Sequence, residues 1–264
     1  MEGPNADRDW AERVAREAAL GRPRLRRVTA AVGEETPEDR AIAAVLRAVG
    51  CKVEPRWRRG IPAFSGSRGG ERLAAQDEKG ALLDSGQLLA ILTLIEMENG
   101  CGQVAVPPGA TAAVDLVAAG YGGDVLRLER DGREAQDLYE SMPWLWYAPS
   151  AAARICHRMG VSAQSLEALG RKTPRFQSWK REVPILSDRQ EVLETLLQMP
   201  CGAAERGARL RTDRGWVYLY SLPSRSALRV VAEGPDLELA AELCDFYAGR
   251  AARLDRRLAS RRGK

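Results

Sequence analysis

The amino-acid sequence predicts an α/β domain followed by a smaller α+β domain, in which a long terminal helix packs on an antiparallel sheet. Three observations support this fold class. Short apolar runs alternate with amphipathic segments over most of the chain, which is typical of βαβ units. A hairpin signal, Asp-Arg-Gly between two strand-like runs, begins at Asp213. The segment after Asp236 carries apolar residues at helical spacing almost to its end.

The first predicted unit is a strand, a helix and a second strand. A short helix over 9–20 precedes it, and the run 25–32 has strand character. Thr36 is followed by a proline and an acid, which is typical of a helix start, and the helix extends through Val49. Because a glycine ends this helix and another strand-like run covers 51–54, the sequence predicts a βαβ unit.

The next part of the chain repeats this pattern with three strands and two helices. Three short runs are predicted strands: 72–76, 103–106 and 124–128. The first is followed by a polar turn, the second by two prolines, and the third begins after a glycine pair. Between them, Asp84 and Ser85 can cap a helix whose apolar face follows, and a second helix covers 111–119. Strands that alternate with helices predict a small parallel sheet.

The following residues have a mixed pattern. The segment 130–150 is irregular, and helical stretches follow at 150–159 and 162–169. A strand-like run at 179–184 and a helix at 188–199 complete this part.

The C-terminal part differs in kind, and we expect the domain boundary near 200–207. Two runs, 209–212 and 216–220, flank the turn that begins at Asp213, and 227–233 is a third strand. The terminal helix carries one seam of apolar or small residues: Leu237, Ala240, Cys244, Tyr247, Ala251, Leu254 and Leu258.

The composition narrows the functional classes. The 40 Lys and Arg residues barely exceed the 36 Asp and Glu residues, so the net charge of +4 gives little support for nucleic-acid binding. The five cysteines are far apart, which is typical of reduced thiols in a cytoplasm. A zinc site is not expected, because His157 is the one histidine and has only Cys156 beside it. No apolar run predicts a membrane span or a signal peptide.

Three local motifs carry a resemblance to a known family. They are the run 216–219 with 228–233, the runs 71–73, 77–80 and 85–89 in succession, and the run 181–184. Together these motifs resemble the α-D-phosphohexomutase superfamily, which contains the phosphomannomutases and phosphoglucomutases. The resemblance runs from about Leu25 to about Ala248 and implies a phosphohexomutase-type α/β/α sandwich followed by the smaller α+β domain. It implies four parts: an N-terminal helix or tail (1–22), a remnant of the second domain (23–64), a third-domain-like part with a helical connector (65–200) and a fourth-domain-like part (201–264).

The resemblance also implies where a metal loop would lie. In the family three aspartates hold Mg²⁺, and two of their positions fall on Ser67 and Gly69. At the third position Glu71 keeps a carboxylate, and Arg72 matches the family residue that follows. Because Mg²⁺ prefers anionic oxygens, we expect the metal to be lost here. The glycines of 65–70 leave a second interpretation open, in which backbone amides of this turn bind a phosphate group.

The family's phosphate loop and sugar loop are also altered in this sequence. At the phosphate loop the residual positions are Ser224, Arg225 and Arg229, and a proline replaces the glycine that permits close backbone approach. The sugar-recognition stretch has no counterpart within 130–150, where the aromatic segment 142–149 stands. These rings would be interface anchors if they are exposed, or they would fill the space of a shortened loop.

These changes predict a non-catalytic phosphohexomutase-like protein with no catalytic residues and no cofactor. We expect an interaction or regulatory module in sugar-phosphate or sugar-nucleotide metabolism, with a sugar nucleotidyltransferase as the partner by analogy. The first alternative is a phosphomannomutase or phosphoglucomutase, an intramolecular phosphotransferase, completed by another chain that carries the missing phosphoserine domain. The second is a nucleic-acid binder that uses a basic C-terminal tail: Arg250, Arg253, Arg256, Arg257, Arg261, Arg262 and Lys264.

Overall fold

A computed structural model describes residues 4–19, 27–128, 141–197, 207–213, 215–222 and 225–262 of the chain. The chain forms two compact units, Met1–Pro174 and Arg175–Lys264. Among the described helices, none combines the length and the apolar character that a membrane crossing requires.

The first unit begins with the predicted βαβ arrangement. Helix α1 (Pro4–Ala19) precedes strand β1 (Thr29–Val32), helix α2 (Pro37–Val49) and strand β2 (Lys52–Glu54), and β1 and β2 are parallel. The side chain of Thr36 accepts a hydrogen bond from the third residue of α2 at 3.1 Å, as expected for an N-cap. The βαβ prediction is therefore confirmed.

The sheet of this unit continues with three short strands. These are β3 (Ala63–Gly66), β4 (Leu73–Gln76) and β5 (Leu82–Leu83), and the strand order is β2-β1-β3-β4-β5. Strand β3 is parallel to β1, whereas β4 is antiparallel to both β3 and β5. The prediction that 72–76 belongs to a parallel sheet is therefore wrong, because β3 and β4 are joined by a loop too short for a parallel crossover.

The remaining predicted strands of this unit form a separate sheet. Helix α3 (Ser85–Glu98) begins after the N-cap Asp84 and leads to β6 (Gln103–Val106). Helix α4 (Ala112–Gly120) then leads to β7 (Asp124–Arg127), which pairs with β6 in parallel. These elements are confirmed, but their sheet contains two described strands and does not include β4.

Helices cover the sheet and supply much of the core of the first unit. After a 3₁₀ turn (Pro143–Leu145), helix α5 (Ala148–Ser162) and helix α6 (Leu166–Arg171) follow. Side chains of α2, α3, α5 and α6 are fully buried in one apolar cluster: Ile42, Leu46, Ile91, Ile95, Ile155, Leu166 and Leu169. Burial of such side chains is the main source of stability in a domain of this kind.

The second unit is an antiparallel sheet with two helices. Its elements in chain order are β8 (Gln177–Pro184), α7 (Arg189–Leu197), β9 (Gly207–Arg211), β10 (Trp216–Leu222), β11 (Ala227–Gly234) and α8 (Leu237–Arg262). The strand order is β8-β11-β10-β9, with every pair antiparallel. The predicted hairpin, third strand and terminal helix are present, and the seam of α8 is buried at Ala240, Cys244, Ala251 and Leu258.

The division between the two units lies upstream of the expected boundary at 200–207. Strand β8, which the sequence analysis assigned to the part 65–200, pairs with β11 along its whole length. The second compact unit accordingly begins at Arg175. The Pro-Cys-Gly run at 200–202 had indicated a linker, but the pairing of β8 depends on a strand more than forty residues away, which a local pattern does not reveal.

Candidate functional site

The loop that the sequence resemblance assigned to the metal-loop position connects β3 to β4. Its glycines Gly69 and Gly70 have φ angles of +86° and +71°, a region that L side chains rarely adopt. The backbone N–H of Gly70 donates to the carbonyl of Ser67 at 2.8 Å. The Ser67 hydroxyl accepts a hydrogen bond from the backbone N–H of Arg72 at 3.1 Å. The loop is therefore a tight, internally bonded turn in which the Ser67 oxygen already has a structural role.

Two carboxylates from the first turn of α2 bind the amides of this turn. The N–H of Gly66 donates to Asp39 Oδ1 at 2.9 Å, and the N–H of Gly69 donates to Glu38 Oε1 at 2.8 Å. The Gly69 N–H holds the pKa of Glu38 below its usual value, with a smaller contribution from the Arg68 charge. A phosphate group is thus not required to satisfy these two amides, and the interpretation that they cradle an anionic ligand is wrong for Gly66 and Gly69.

The residues at the metal-loop positions do not fit Mg²⁺. Gly69 has no side chain, the Ser67 hydroxyl is hydrogen-bonded within the loop, and Glu71 is exposed. Mg²⁺ prefers several anionic oxygens in octahedral geometry, and the cationic side chain of Arg68 lies within the same loop. In the part of the chain that the structure describes, no cluster of three or more His, Cys, Asp or Glu side chains is placed to hold a metal ion.

The aromatic segment 142–149 contacts this loop through Ala148 and Gly70. Trp144 is buried in the core of the first unit, and Trp146 packs against the same core. The ring of Tyr147 makes an edge contact with Trp10 at 5.8 Å between centroids, and burial raises the pKa of its hydroxyl. The N–H of Ala148 donates to the Gly70 carbonyl at 2.8 Å. Of the two interpretations of this segment, the structure supports the one in which the rings fill space inside the unit.

The loop that the sequence resemblance assigned to the phosphate-loop position connects β10 to β11. Ser224 lies outside the described residues. Arg225 Nη1 donates to Glu182 Oε2 at 2.9 Å, and Arg229 Nη2 donates to the other oxygen of the same carboxylate. Arg229 Nη1 also donates to the Tyr220 hydroxyl at 3.3 Å. The guanidinium of Arg229, followed by that of Arg225, holds the pKa of Glu182 below its usual value. The two predicted arginines are therefore brought together by a strand β8 carboxylate.

A third arginine at this loop was not found from the sequence. Arg189, the first residue of α7, donates through Nη1 to the carbonyl of Leu222 and to the carbonyl of Arg225, the latter at 2.6 Å. Its guanidinium thereby joins the two sides of the loop. Arg225 and Arg229 thus share the Glu182 carboxylate, whereas Arg189 binds carbonyls of the loop. The only signal in the sequence was the position of Arg189 next to the helix-capping Asp188.

The single histidine and the thiols do not form a reactive centre. His157 is buried within α5, as expected for a packed histidine. The described cysteines Cys51, Cys101, Cys156 and Cys244 are free thiols. A hydrogen bond with Cys51, together with burial, raises the pKa of the Cys156 thiol. A thiol with a raised pKa is a poor nucleophile, so we interpret the buried Cys156 as a packing residue.

The basic residues of the terminal helix cover its outer face. Arg250 lies over the rings of Phe246 and Tyr247, at 5.8 Å and 6.0 Å from their centroids. Arg253, Arg256 and Arg257 are exposed, whereas the side chains of Arg261 and Arg262, and all of Lys264, lie outside the described residues. This distribution is typical of the solvated face of an amphipathic helix, and it adds no support to nucleic-acid binding by the tail.

Comparison with known proteins identifies the fold. The sequence matches no protein-family model and no curated protein. By structure, the chain is similar to a phosphoglucomutase/phosphomannomutase family protein from Burkholderia thailandensis, with a TM-score of 0.67 and 13% identity over 92% of this chain and 64% of the other. It is also similar to the Aspergillus fumigatus N-acetylphosphoglucosamine mutase in complex with GlcNAc-6P and magnesium, with a TM-score of 0.61 and 9% identity over 93% and 65% of the two chains.

A third similar structure belongs by its description to the α-D-phosphohexomutase superfamily. It is an N-acetylglucosamine-phosphate mutase in its product complex, with a TM-score of 0.61 and 10% identity over 92% and 65% of the two chains. The chain therefore spans somewhat less than two thirds of the length of these structures. At such identities the similarity concerns the fold, and the chain has the α/β fold of the phosphohexomutases.

Proposed function

We propose that this chain, which has the phosphohexomutase fold, is a non-catalytic interaction or regulatory module in sugar-phosphate or sugar-nucleotide metabolism. One observation carries the proposal. At the loop that aligns with the metal loop of the family, the amides of Gly66 and Gly69 bind Asp39 and Glu38 from α2. The chain's own carboxylates thus occupy the donors that a phosphate group would use.

The electrostatics of this loop oppose phosphoryl transfer. Transfer of a phosphoryl group requires cations at its oxygens, and Mg²⁺ supplies them in many enzymes. A phosphate oxygen that approached the Gly69 N–H would meet the ionised carboxylate of Glu38, whose pKa is lowered by the same N–H. Because Ser67 and Gly69 do not supply a metal-binding donor set, we do not expect Mg²⁺ to offset this repulsion.

The partner and the location follow from the same proposal. A sugar nucleotidyltransferase is the partner class we propose by analogy of fold. We place the protein in the cytoplasm, because its described cysteines are free thiols.

A mutase assay of the full chain tests the proposal. Glucose 1-phosphate or mannose 1-phosphate would be supplied with Mg²⁺ and glucose 1,6-bisphosphate, and formation of the 6-phosphate would be followed by a coupled dehydrogenase. We expect no formation above the rate without protein. Turnover that is lost in Glu71→Gln but retained in Glu35→Gln, an exposed residue outside the loop, would overturn the proposal.

A second candidate function is a mutase completed by another chain. The arginines at the β10–β11 loop favour this candidate: Arg225 and Arg229 bind Glu182, and Arg189 binds carbonyls of the same loop. The test adds a separately expressed phosphoserine domain of a phosphomannomutase to the assay. Activity that appears only in the mixture and falls in Arg229→Ser would support this candidate, whereas an inactive mixture favours the non-catalytic module.

A further inference from the structure

Strand β9 forms one edge of the four-stranded sheet in the second unit. Within the part of the chain that the structure describes, it pairs only with β10. The Thr212 N–H donates to the Gly215 carbonyl at 2.8 Å, which identifies these two residues as a hydrogen-bonded pair next to the turn. Because such pairs alternate along an antiparallel ladder, Arg211 and Arg209 are in the intervening non-hydrogen-bonded positions. Their peptide groups are therefore directed away from β10, toward the edge.

The side chains of the same two arginines lie on the face of the sheet opposite the core. Val217 and Leu219 of β10 are buried against the helices, so Trp216, which alternates with them, belongs to the other face. The guanidinium of Arg209 lies 4.5 Å from the centroid of the Trp216 ring, and that of Arg211 lies 5.7 Å from it. These cation–π contacts hold two positive charges along the edge, about 7 Å apart along the strand.

No acid lies on the outer face of β9 or β10. On β10 the outward side chains are Trp216, Tyr218 and Tyr220, and β9 contributes the two arginines. The acids on this face of the sheet, Glu182 and Glu233, are on β8 and β11, which are separated from β9 by β10. The β9 edge therefore combines main-chain groups directed outward with the side chains of two arginines, and the described strands β9 and β10 contain no acidic residue.

We infer that the β9 edge binds an extended acidic segment of a partner protein, which adds to the sheet as a further strand. Acidic side chains at alternate positions of that segment would lie directly opposite Arg209 and Arg211. Opposite charges in such cross-strand positions stabilise the pairing, and like charges destabilise it. A second copy of this chain would place arginine opposite arginine, so the charges favour an acidic partner over self-association.

The aromatic residues of this face do not favour a nucleic acid instead. Single-stranded nucleic acids bind through bases that stack on ring faces. Here the rings of Tyr218 and Tyr220 stack on each other, with centroids 4.8 Å apart, and Arg209 covers the Trp216 ring. The acidic segment specifies the partner class of the proposed interaction module, so this inference rests on the proposed function.

The test uses the full chain and a fluorescein-labelled peptide, acetyl-Ser-Thr-Val-Glu-Val-Glu-Val-Thr-Ser-amide, followed by fluorescence anisotropy. Three probes serve as controls: the same peptide with both Glu changed to Lys, the same peptide with alternate backbone nitrogens methylated, and a ten-residue oligothymidine. We expect saturable binding of the acidic peptide and loss of binding with the Lys peptide and with the methylated peptide. The methylated probe keeps all charges, so its loss separates strand addition from general attraction between opposite charges.

Variants of the edge arginines complete the test. We expect the dissociation constant to rise about threefold in Arg211→Ser and about tenfold in the double variant with Arg209→Ser. Arg256→Ser, an exposed arginine of α8, is the matched control and should bind like the unchanged protein. Equal binding of the methylated peptide, preference for the oligothymidine, or no binding of the acidic peptide by the folded protein would overturn the inference. Mutase activity alone would overturn the proposed function and leave peptide binding intact, so the two fail separately.

Discussion

Removal of the buried arginine of the first unit is expected to destabilise the protein severely. Arg154 of α5 donates from Nε and Nη2 to the two oxygens of Glu96, each at 2.7 Å, and from Nη1 to the Ala18 carbonyl at 2.8 Å. The side chains of Arg154 and Glu96 are only 6% and 10% exposed. The pair therefore connects α3, α5 and the last turn of α1 within the core.

The expected loss in Arg154→Met follows from what this substitution leaves behind. The Glu96 carboxylate would stay buried without its counter-ion, which costs about 3–5 kcal/mol. The Ala18 carbonyl would lose a charged donor, which adds about 1 kcal/mol. Since whole domains are stable by about 5–15 kcal/mol, the substitution should remove a large part of the free energy of unfolding of the first unit. Replacement of both partners, Arg154→Met with Glu96→Met, should restore most of this loss, because no charge is then left buried.

The measurement is hydrogen exchange followed by mass spectrometry during urea titration, since a chain of two units need not unfold in one step. Peptides from α3 and α5 report on the first unit, and peptides from β10 and β11 report on the second. The matched control is Arg8→Met, which breaks an exposed pair with Glu12 (77% and 49% exposed) and should cost less than about 0.5 kcal/mol. A single variant within about 1 kcal/mol of the unchanged protein, or a double variant no more stable than the single one, would refute this reasoning.

Three further predictions concern the second unit and the thiols. Hydrogen bonds from the 186–187 segment hold the pKa of buried Asp255 below its usual value despite desolvation. This carboxylate therefore stabilises the second unit above about pH 4 and progressively less below it. In Asp255→Asn the free energy of unfolding of the second unit should depend less on pH in the acidic range. Gly215→Ala would place a Cβ atom 2.0 Å from the Glu233 carbonyl and should cost about 1–3 kcal/mol in calorimetry, and an unchanged melting temperature would contradict this. Iodoacetamide at pH 8 should label half-buried Cys101 before Cys156, whose pKa is raised, as peptide mass spectrometry would show; the reverse order would contradict the burial assignment.

Elements with local signals could be predicted from the sequence. Thr36 and Asp84 cap helices at the predicted positions, and Gly50 ends α2 with a φ angle of +84°. The hairpin around Asp213 was predictable because the turn and both strands are contiguous. In each case the determining contacts lie within a few residues, so the pattern of the sequence contains them.

Features that depend on distant residues could not be predicted. Strand β3 was missed because its last residues belong to a glycine-containing run that resembled a turn, and its partner β1 lies about thirty residues away. The assignment of β8 to the second sheet likewise depends on β11. At the candidate site, the amides of Gly66 and Gly69 bind carboxylates 27 and 31 residues earlier in the chain, and no local motif marks that pairing.

The central claim is that Asp39 and Glu38 of α2 bind the amides of Gly66 and Gly69, and that this loop therefore binds neither Mg²⁺ nor a sugar phosphate. Calorimetric titration of the full chain with Mg²⁺, and then with glucose 1-phosphate in the presence of Mg²⁺, tests this claim most directly. We expect no saturable binding heat for either ligand, which means that neither binds with a dissociation constant tighter than about 1 mM. Stoichiometric, Mg²⁺-dependent binding of the hexose phosphate in the micromolar range, abolished by Glu71→Gln, would contradict it.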